Sequence, residues 1–213
     1  VKYMENKLKL AEIVGIMLGD GCLYQEKRRN RYQTIICFHK EEKDYLKHVK
    51  NLFENYFRYK FCITEIEHEM LLRNSSFFVG KYLIDSGLSS GNKVDNKSII
   101  PSWIFQDKEL TKRAVRGLFD TDGCVYRKYD HYAQIQIKFG CAETTKSVQE
   151  ALKKLGYHPT KIEKYLNKAK NVWAWKFYLS RQAEIDTFFN EIHPKNEKHV
   201  RRYNEIRSGA AGI

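Results

Sequence analysis

GIMLGDGCLY at residues 15–24 and GLFDTDGCVY at residues 117–126 are two versions of one decapeptide within this 213-residue chain. Five of the ten positions are identical, and three more pair one apolar residue with another, at a constant offset of 102. Each decapeptide is followed by an extended stretch rich in Tyr, Gln and basic residues and then by a helical pattern. This self-similarity indicates that the chain contains two copies of one structural unit.

The spacing of apolar residues predicts the same order of elements in both halves. In the first half we predict helices at residues 7–18, 42–56 and 76–86, and strands at 22–27, 31–39, 61–67 and 70–74. In the second half we predict helices at 108–121, 144–155 and 183–192, and strands at 124–129, 132–139, 160–166 and 172–180. The predicted fold class is α+β, with two pseudo-symmetric αββαββα halves that each contain a four-stranded antiparallel sheet. The polar stretch before Pro101 ends the first half, so we assign residues 1–100 and 108–213 to the halves and 101–107 to the linker.

Composition excludes several classes of protein. No apolar run approaches the roughly 20 residues of a membrane span, and the sequence begins without the pattern of a signal peptide. The five cysteines are odd in number and show no C-x-x-C spacing, which favours buried thiols over a disulfide framework or a structural zinc site. We expect an intracellular protein without a membrane partner, in the cytoplasm or nucleoid of a prokaryote or in an organelle.

Positive charge is spread over the whole chain. The net charge is +12, with 17 Lys and Arg against 13 Asp and Glu up to Phe105 and 21 against 13 after it. Both halves are therefore basic, which favours a polyanionic partner over a neutral domain with a basic tail.

The repeated Asp-Gly pairs, Asp20-Gly21 and Asp122-Gly123, each follow a predicted amphipathic helix. A single Asp-Gly pair is typical of a helix stop and turn, because Gly adopts the left-handed conformation at little cost. The C-terminal end of a helix carries partial negative charge, however, so a carboxylate there is unfavourable unless a cation neutralises it. The duplication indicates that Asp20 and Asp122 bind a divalent metal together.

Small residues one turn apart mark the helix that precedes each carboxylate: Gly15 and Gly19 in the first half, Gly117 and Thr121 in the second. Small side chains at positions i and i+4 allow two helix backbones to approach closely. If these helices pack about a pseudo-twofold axis, Asp20 and Asp122 meet at one end. Hard oxygen ligands beside a polyanion suit Mg²⁺, for which Mn²⁺ can substitute, rather than zinc. Paired ions of this kind clamp the attacking and leaving oxygens in phosphodiester hydrolysis.

The residues 13–21, IVGIMLGDG, and 115–123, VRGLFDTDG, resemble the two motifs of the single-chain LAGLIDADG homing endonucleases. The resemblance covers nearly the whole chain, since each motif opens an αββαββα pattern. It departs from the family pattern at Asp120, which occupies the position of Leu18 in the first copy, and at Arg116, which replaces a small apolar residue. These departures make the expected helix interface asymmetric.

The resemblance implies a monomer that cleaves both strands of a long double-stranded DNA target across the minor groove, with the two sheets forming a saddle over the DNA. It implies Asp20 and Asp122 as catalytic metal ligands, with their neighbours Gly19 and Thr121 at the metal-binding ends of the helices. The family also has basic residues beside the metals. Lys93 and Lys198 correspond at an offset of 105 and are the first candidates.

Strand alternation selects the residues expected to contact DNA, because every second side chain faces away from the core. Gln and Lys suit base edges and phosphates, and the apolar residues between them, Trp173 included, are assigned to the core. The candidates are Tyr24, Arg28, Gln33, His39, Lys40 and Arg73 in the first half, and Tyr126, Lys128, Gln134, Gln136, Lys138, Lys176 and Tyr178 in the second.

Three other functions share parts of this pattern. An intein is disfavoured, because we find neither an N-terminal Cys or Ser nor a C-terminal His-Asn. A DNA-binding regulator on this scaffold would need an additional DNA-binding domain. An intron maturase, which binds intron RNA and assists splicing, remains the main alternative, alone or in addition to cleavage. The retention of both carboxylates favours the endonuclease.

Overall fold

The computed structural model describes residues 2–168 and 171–209. In the first half, four strands form an antiparallel sheet in the order β1-β2-β4-β3. The elements in chain order are α1 (Lys2–Leu18), β1 (Gly21–Glu26), β2 (Arg31–His39), α2 (Lys43–Phe57), β3 (Cys62–Ile66), β4 (Glu69–Asn74) and α3 (Phe77–Asp85). A short 3-10 turn at Lys27–Arg29 joins the first two strands and ends at Asn30, which adopts the left-handed conformation.

The second half repeats this arrangement in a sheet of order β5-β6-β8-β7. Its elements are α4 (Lys108–Asp122), β5 (Gly123–Tyr129), β6 (Tyr132–Phe139), α5 (Ala142–Lys154), β7 (Glu163–Asn167), β8 (Val172–Leu179), α6 (Gln182–Ile192) and α7 (Glu197–Arg207). The predicted α+β fold of two similar halves is confirmed. Between the halves, Ser102–Gln106 forms a 3-10 turn that buries Ile104 in the core.

The helix α7 is absent from the predicted pattern. Its apolar residues Val200, Tyr203 and Ile206 recur every third position and are separated by polar or charged side chains, so its sequence is dominated by polar residues. Only Ile206 among these three is fully buried. The helix packs beside β5 and β6, and Asn196 caps its beginning by accepting a hydrogen bond from the backbone nitrogen of Lys198. The second half therefore carries one helix more than the first.

Each sheet has one face on the core and one face that no described helix covers. In β2 the buried residues alternate with partly exposed ones, so Ile36 and Phe38 face the core while Gln33 and Ile35 face the other way. We call the uncovered surface the open face of each sheet. One prediction about the opposite face is wrong: Trp173 of β8 is 52% exposed, because it lies near the beginning of its strand and is paired with Leu166 on the outermost strand.

The helices α1 and α4 pack along one another and join the halves through their backbones. A Cβ atom on Gly15 would overlap the carbonyl oxygen of Ala114. A Cβ on Gly117 would overlap the carbonyl oxygen of Glu12 and lie 2.7 Å from the backbone nitrogen of Ile16. The helices can approach this closely only with glycine at both positions.

A charged cluster accompanies this interface on one side. Arg116 is 5% exposed, donates to the carbonyl oxygen of Ile192 at 2.6 Å, and lies 3.3 Å from the carboxylate of Glu12. Arg113 and His48 also contact Glu12, at 3.1 and 3.0 Å. Arg116 thus replaces a small apolar residue without leaving a buried charge unpaired.

In the described residues, no helix combines the length and the apolar character that crossing a bilayer requires.

We expect Gly15→Ala to lower the free energy of unfolding by about 1–3 kcal/mol, because the added methyl group meets a backbone carbonyl that cannot move aside. Urea denaturation followed by circular dichroism measures the effect. Gly140→Ala is the matched control, since its Cβ would meet only the Val94 side chain at 3.7 Å. Equal stability of the two variants would contradict the close helix contact.

Candidate active site

Asp20 and Asp122 lie at the same end of the paired helices. Asp20 lies two residues beyond Leu18, the last residue of α1, and Asp122 is the last residue of α4. A Cβ on Gly19 would lie 2.6 Å from Oδ2 of Asp122 and would overlap the hydroxyl of Thr121, so the second carboxylate lies directly against the end of the first helix. The structure therefore brings together all four residues that the sequence assigned to the metal-binding ends.

The glycines that follow the carboxylates are required by space and not by a left-handed backbone. Neither Gly21 nor Gly123 has a positive φ. A Cβ on Gly21 would lie 2.5 Å from the Cα of Met17, and one on Gly123 would overlap the backbone of Phe119. Each glycine lets the first strand of its half leave the helix end at close range.

The environment raises the pKa of both carboxylates. Burial raises the pKa of Asp122 to about 7, the nearby charge of Asp20 adds to this, and Lys93 opposes it. Asp20 is open to solvent on one side, yet the protein packed around its carboxylate raises its pKa, with Lys93 opposing and Glu42 adding to the effect. Two carboxylates that resist ionisation in each other's presence favour a divalent cation between them.

Lys93 lies close to this pair, and its positive charge neutralises the partial negative charge at the end of α1. Its ammonium donates to the carbonyl oxygens of Gly19, Leu18 and Met17, the last two at 3.1 and 3.5 Å. Burial lowers the pKa of Lys93, while Asp122 and Asp20 counteract that effect. The cation that the helix end requires is therefore supplied in part by the protein itself. With Asp122 and Lys138, Lys93 lines a cleft of about 320 Å³.

Lys198 occupies a different environment from its sequence counterpart. It is the second residue of α7 and forms an ion pair of 2.6 Å with Glu42, which directly precedes α2 in the other half. Glu42 also accepts a hydrogen bond of 2.7 Å from the side chain of Asn196. Lys198 and Glu42 line a cleft of about 710 Å³ whose further basic residues are Lys40, Lys43 and Arg201. The two lysines thus line different clefts, and the charges of both act on Asp20 and Asp122.

Asp120 explains why the second motif departs from the first. It is 1% exposed, and it accepts hydrogen bonds from the backbone nitrogens of Lys195 and Asn196 at 2.9 to 3.1 Å. Its own carbonyl oxygen accepts from the side chains of Asn196 and His199, at 2.9 and 3.4 Å. Asp120 therefore fixes the turn that leads into α7, a role that Leu18 cannot perform in the first half.

The candidate DNA contacts of the second half lie on one connected surface. Gln134, however, is only 7% exposed and does not face outward as predicted, because its amide accepts a short hydrogen bond from the hydroxyl of Tyr126 and donates to Ser180 at 2.5 Å. Gln136 donates to the hydroxyl of Tyr178 at 3.1 Å. Lys138 and Lys176 are paired across β6 and β8. Lys128 is exposed near the end of β5, where the register with β6 shifts.

The candidates of the first half are more scattered. Tyr24 and Gln33 are paired across β1 and β2 on the open face, and Arg73 is exposed on β4 opposite Ile35. The remaining first-half candidates lie at or beyond strand ends: Arg28 is in the 3-10 turn after β1, His39 is at the end of β2, and Lys40 is in the turn that follows. Glu42, Asn196 and Asp120 are the site-forming residues that the sequence analysis did not select, because their partners are distant in the chain.

Two family models match the sequence. The LAGLIDADG DNA endonuclease family matches residues 11–137, more than half of the chain, and the LAGLIDADG-like domain matches residues 109–205. The chain therefore belongs to the LAGLIDADG DNA endonuclease family. No curated protein matches the sequence.

Solved structures share the fold. Mesophilic variants of the homing endonuclease I-DmoI match with a TM-score of 0.64 and 19% identity, covering 88% of this chain and 96% of that chain. I-DmoI in complex with DNA and Ca matches with a TM-score of 0.66 and 18% identity, covering 87% and 90%. Full-length DUF199/WhiA from Thermatoga maritima matches with a TM-score of 0.60 and 15% identity, covering 98% of this chain and 62% of that chain.

The raised pKa of Asp122 predicts a pH-dependent loss of stability in the metal-free protein. A carboxyl whose folded pKa is about 7, against an ordinary value of 3.8, stabilises the fold at low pH and loses that contribution as pH rises through about 7. Asp122→Asn removes this titration. In EDTA, we expect the variant to be more stable than the wild type at about pH 8, with a difference that shrinks toward pH 4. Urea denaturation across this range tests it, and a pH-independent difference would contradict the raised pKa.

Proposed function

We propose that this chain is a single-chain homing endonuclease that hydrolyses both strands of a long, specific DNA target. The observation that carries the proposal is the placement of Asp20 and Asp122, which meet at the ends of two backbone-packed helices between two open sheet faces. The net charge of +12 favours a polyanionic partner for those faces. Both carboxylates come from one chain, so the site does not require a second copy, and we propose a monomer.

The donor set fits Mg²⁺, with Mn²⁺ as a substitute. Asp20 and Asp122 offer hard oxygen ligands, and burial holds the pKa of Asp122 near neutrality until a cation compensates its charge. In the described residues there is no cluster of three or more His, Cys, Asp or Glu arranged around one point. Two carboxylates leave coordination positions that phosphate oxygens and water fill in magnesium sites of nucleases. When bound, the metal supplies charge neutralisation at the scissile phosphate.

The chain's own residues divide the remaining work. Lys93 is held by three carbonyl oxygens at the end of α1, and it places a fixed positive charge beside both carboxylates. Lys198 is held by Glu42 on the other flank, where its charge also acts on Asp20. In this proposal, each lysine steadies the charge that develops on one scissile phosphate, and neither one ligates the metal.

The open faces bind the DNA. Gln136 and Lys138 in the second half, with Tyr24 and Arg73 in the first, present hydrogen-bonding groups on these faces. The proposed path carries duplex DNA along both sheets, with its minor groove over the carboxylates. Such a protein acts inside the cell, on the DNA of a prokaryote or an organelle. Cleavage takes precedence over a maturase activity, because both carboxylates are retained and meet.

We expect Asp20→Asn and Asp122→Asn each to abolish double-strand cleavage while DNA affinity stays within about tenfold of the wild type. The carboxylate acts on the reacting phosphate, whereas affinity comes mainly from phosphate contacts elsewhere. Incubation with duplex libraries identifies the cleaved target, and gel assays with fluorescence anisotropy measure the two quantities. The control is Asp95→Asn, which changes an exposed residue of the loop between α3 and the 3-10 turn at Ser102–Gln106. Retained cleavage in both active-site variants would contradict the proposal.

Cleavage should require Mg²⁺ or Mn²⁺ and should stop in EDTA. We expect Ca²⁺ to permit DNA binding without turnover, because its larger and less regular coordination sphere places the reacting oxygens poorly. The measurement is cleavage of the selected target in each ion, with binding followed in parallel. Undiminished cleavage in EDTA would exclude the proposed metal site while leaving DNA binding intact.

A further inference from the structure

The open faces of the two sheets differ at matched positions next to the carboxylates. The halves can be aligned by register, because Gly21 lies opposite Ile36 and Gly123 lies opposite Ile137. Carrying this alignment across the sheets matches the open-face residues of the two halves, and three of the pairs join an apolar residue or a thiol to a polar one: Ile35 with Gln136, Cys37 with Lys138, and Leu71 with Lys176.

The first-half members form an apolar patch of Ile35, Cys37 and Leu71. Cys37 and Leu71 are directly paired across β2 and β4, and Ile35 is two residues from Cys37 on the same face. Leu71 is only 6% exposed, so the partly exposed Ile35 and Cys37 form the accessible surface of the patch. The backbone nitrogen of Cys37 donates to the carbonyl oxygen of Asp20 at 3.3 Å, which places the apolar patch beside the first carboxylate.

The second-half members form a polar set of Gln136, Lys138 and Lys176. Tyr178 holds Gln136 by a hydrogen bond of 3.1 Å. Lys176 lies 3.6 Å from a carboxylate oxygen of Glu163 and 4.9 Å from the ring centroid of Tyr165. Lys138 is exposed, between this group and the cleft that contains Asp122. Where the first half offers methyl groups and a thiol, the second half therefore offers hydrogen-bond donors at the same positions.

Phosphates cannot account for the apolar patch, because aliphatic side chains and a thiol gain nothing from contact with a charged oxygen. In the major groove, the one apolar group on a base edge is the 5-methyl group of thymine. Lysine suits the O6 and N7 atoms of guanine, and the amide of glutamine suits the N6 and N7 atoms of adenine. The two surfaces therefore match different bases.

We propose that the apolar patch reads thymine methyl groups on one side of the cleavage site, and that the polar set reads purines on the other. This inference rests on the proposed function, since it assumes that the open faces bind duplex DNA. It identifies Ile35 and Cys37 as specificity-determining residues, neither of which the sequence analysis selected.

Selection from randomised duplex DNA tests this with the full chain in Ca²⁺. Two libraries are compared, one containing thymine and one containing uracil in its place, because uracil pairs identically and lacks only the methyl group. We expect thymine-rich positions on one side of the recovered site and guanine or adenine on the other. In the recovered duplex, each contacted thymine replaced by uracil should weaken binding by about fourfold, the effect of one buried methyl group, whereas uracil on the purine side should change nothing.

Matched exchanges assign the sides. Cys37→Lys should change a thymine preference to guanine at one position, and Lys138→Cys should remove a guanine preference on the opposite side. Indifference to uracil in a duplex that is still bound and cleaved would overturn the inference and leave the proposed function standing. Failure to recover any duplex that is cleaved in Mg²⁺ would overturn both. The uracil comparison uses the unaltered chain, so it decides the question even if a variant fails to fold.

Discussion

The close backbone contact between α1 and α4 is the constraint on which the rest of the structure depends. Gly15 and Gly117 allow each helix to lie against the carbonyl groups of the other. The same contact fixes the helix ends, so Gly19 meets Asp122 and the two carboxylates share one electrostatic environment. A single packing interaction therefore joins the halves, completes the core and assembles the site. Loss of either glycine would affect all three.

The internal repeat makes the two carboxylates equivalent, but the residues that contact the two helix ends differ between the halves. At the end of α1, Lys93 supplies a cation to the last carbonyl oxygens. At the end of α4, the side chains of Asn196 and His199 donate to the carbonyl oxygen of Asp120 instead. The corresponding lysine, Lys198, pairs with Glu42 of the first half. The two halves of the site thus have equivalent ligands and different charges behind them, which is why Asp20 and Asp122 differ in burial and in their neighbours.

The sequence predicted what depends on local periodicity. The duplicated motif, the alternation in strands such as Gln134 to Phe139 and the small residues of the motif helices are all local patterns, and the fold follows from them. It missed α7, whose charged residues outnumber its apolar ones, and it missed Glu42 and Asn196, whose contact spans 154 positions. The sequence analysis also treated the negative end of α1 as unfavourable for Asp20. It could not foresee that Lys93 neutralises this helix end, because Lys93 contacts Gly19 across 74 positions of the chain. Side-chain partners of this kind follow only from the packed fold.

The two faces of each strand are under different constraints, and this explains how a duplicated chain can retain one site and two surfaces. Ile36 and Phe38 must fit a close-packed core, where a change of one methyl group affects stability. Ile35 and Cys37, on the same strand, face a surface that no described helix covers, so their replacement costs the fold little. Because both halves are in one chain, the open faces can diverge independently, as Leu71 and Lys176 have done, while the helix interface keeps the carboxylates together. Two identical subunits would carry every such change on both sides of the site at once.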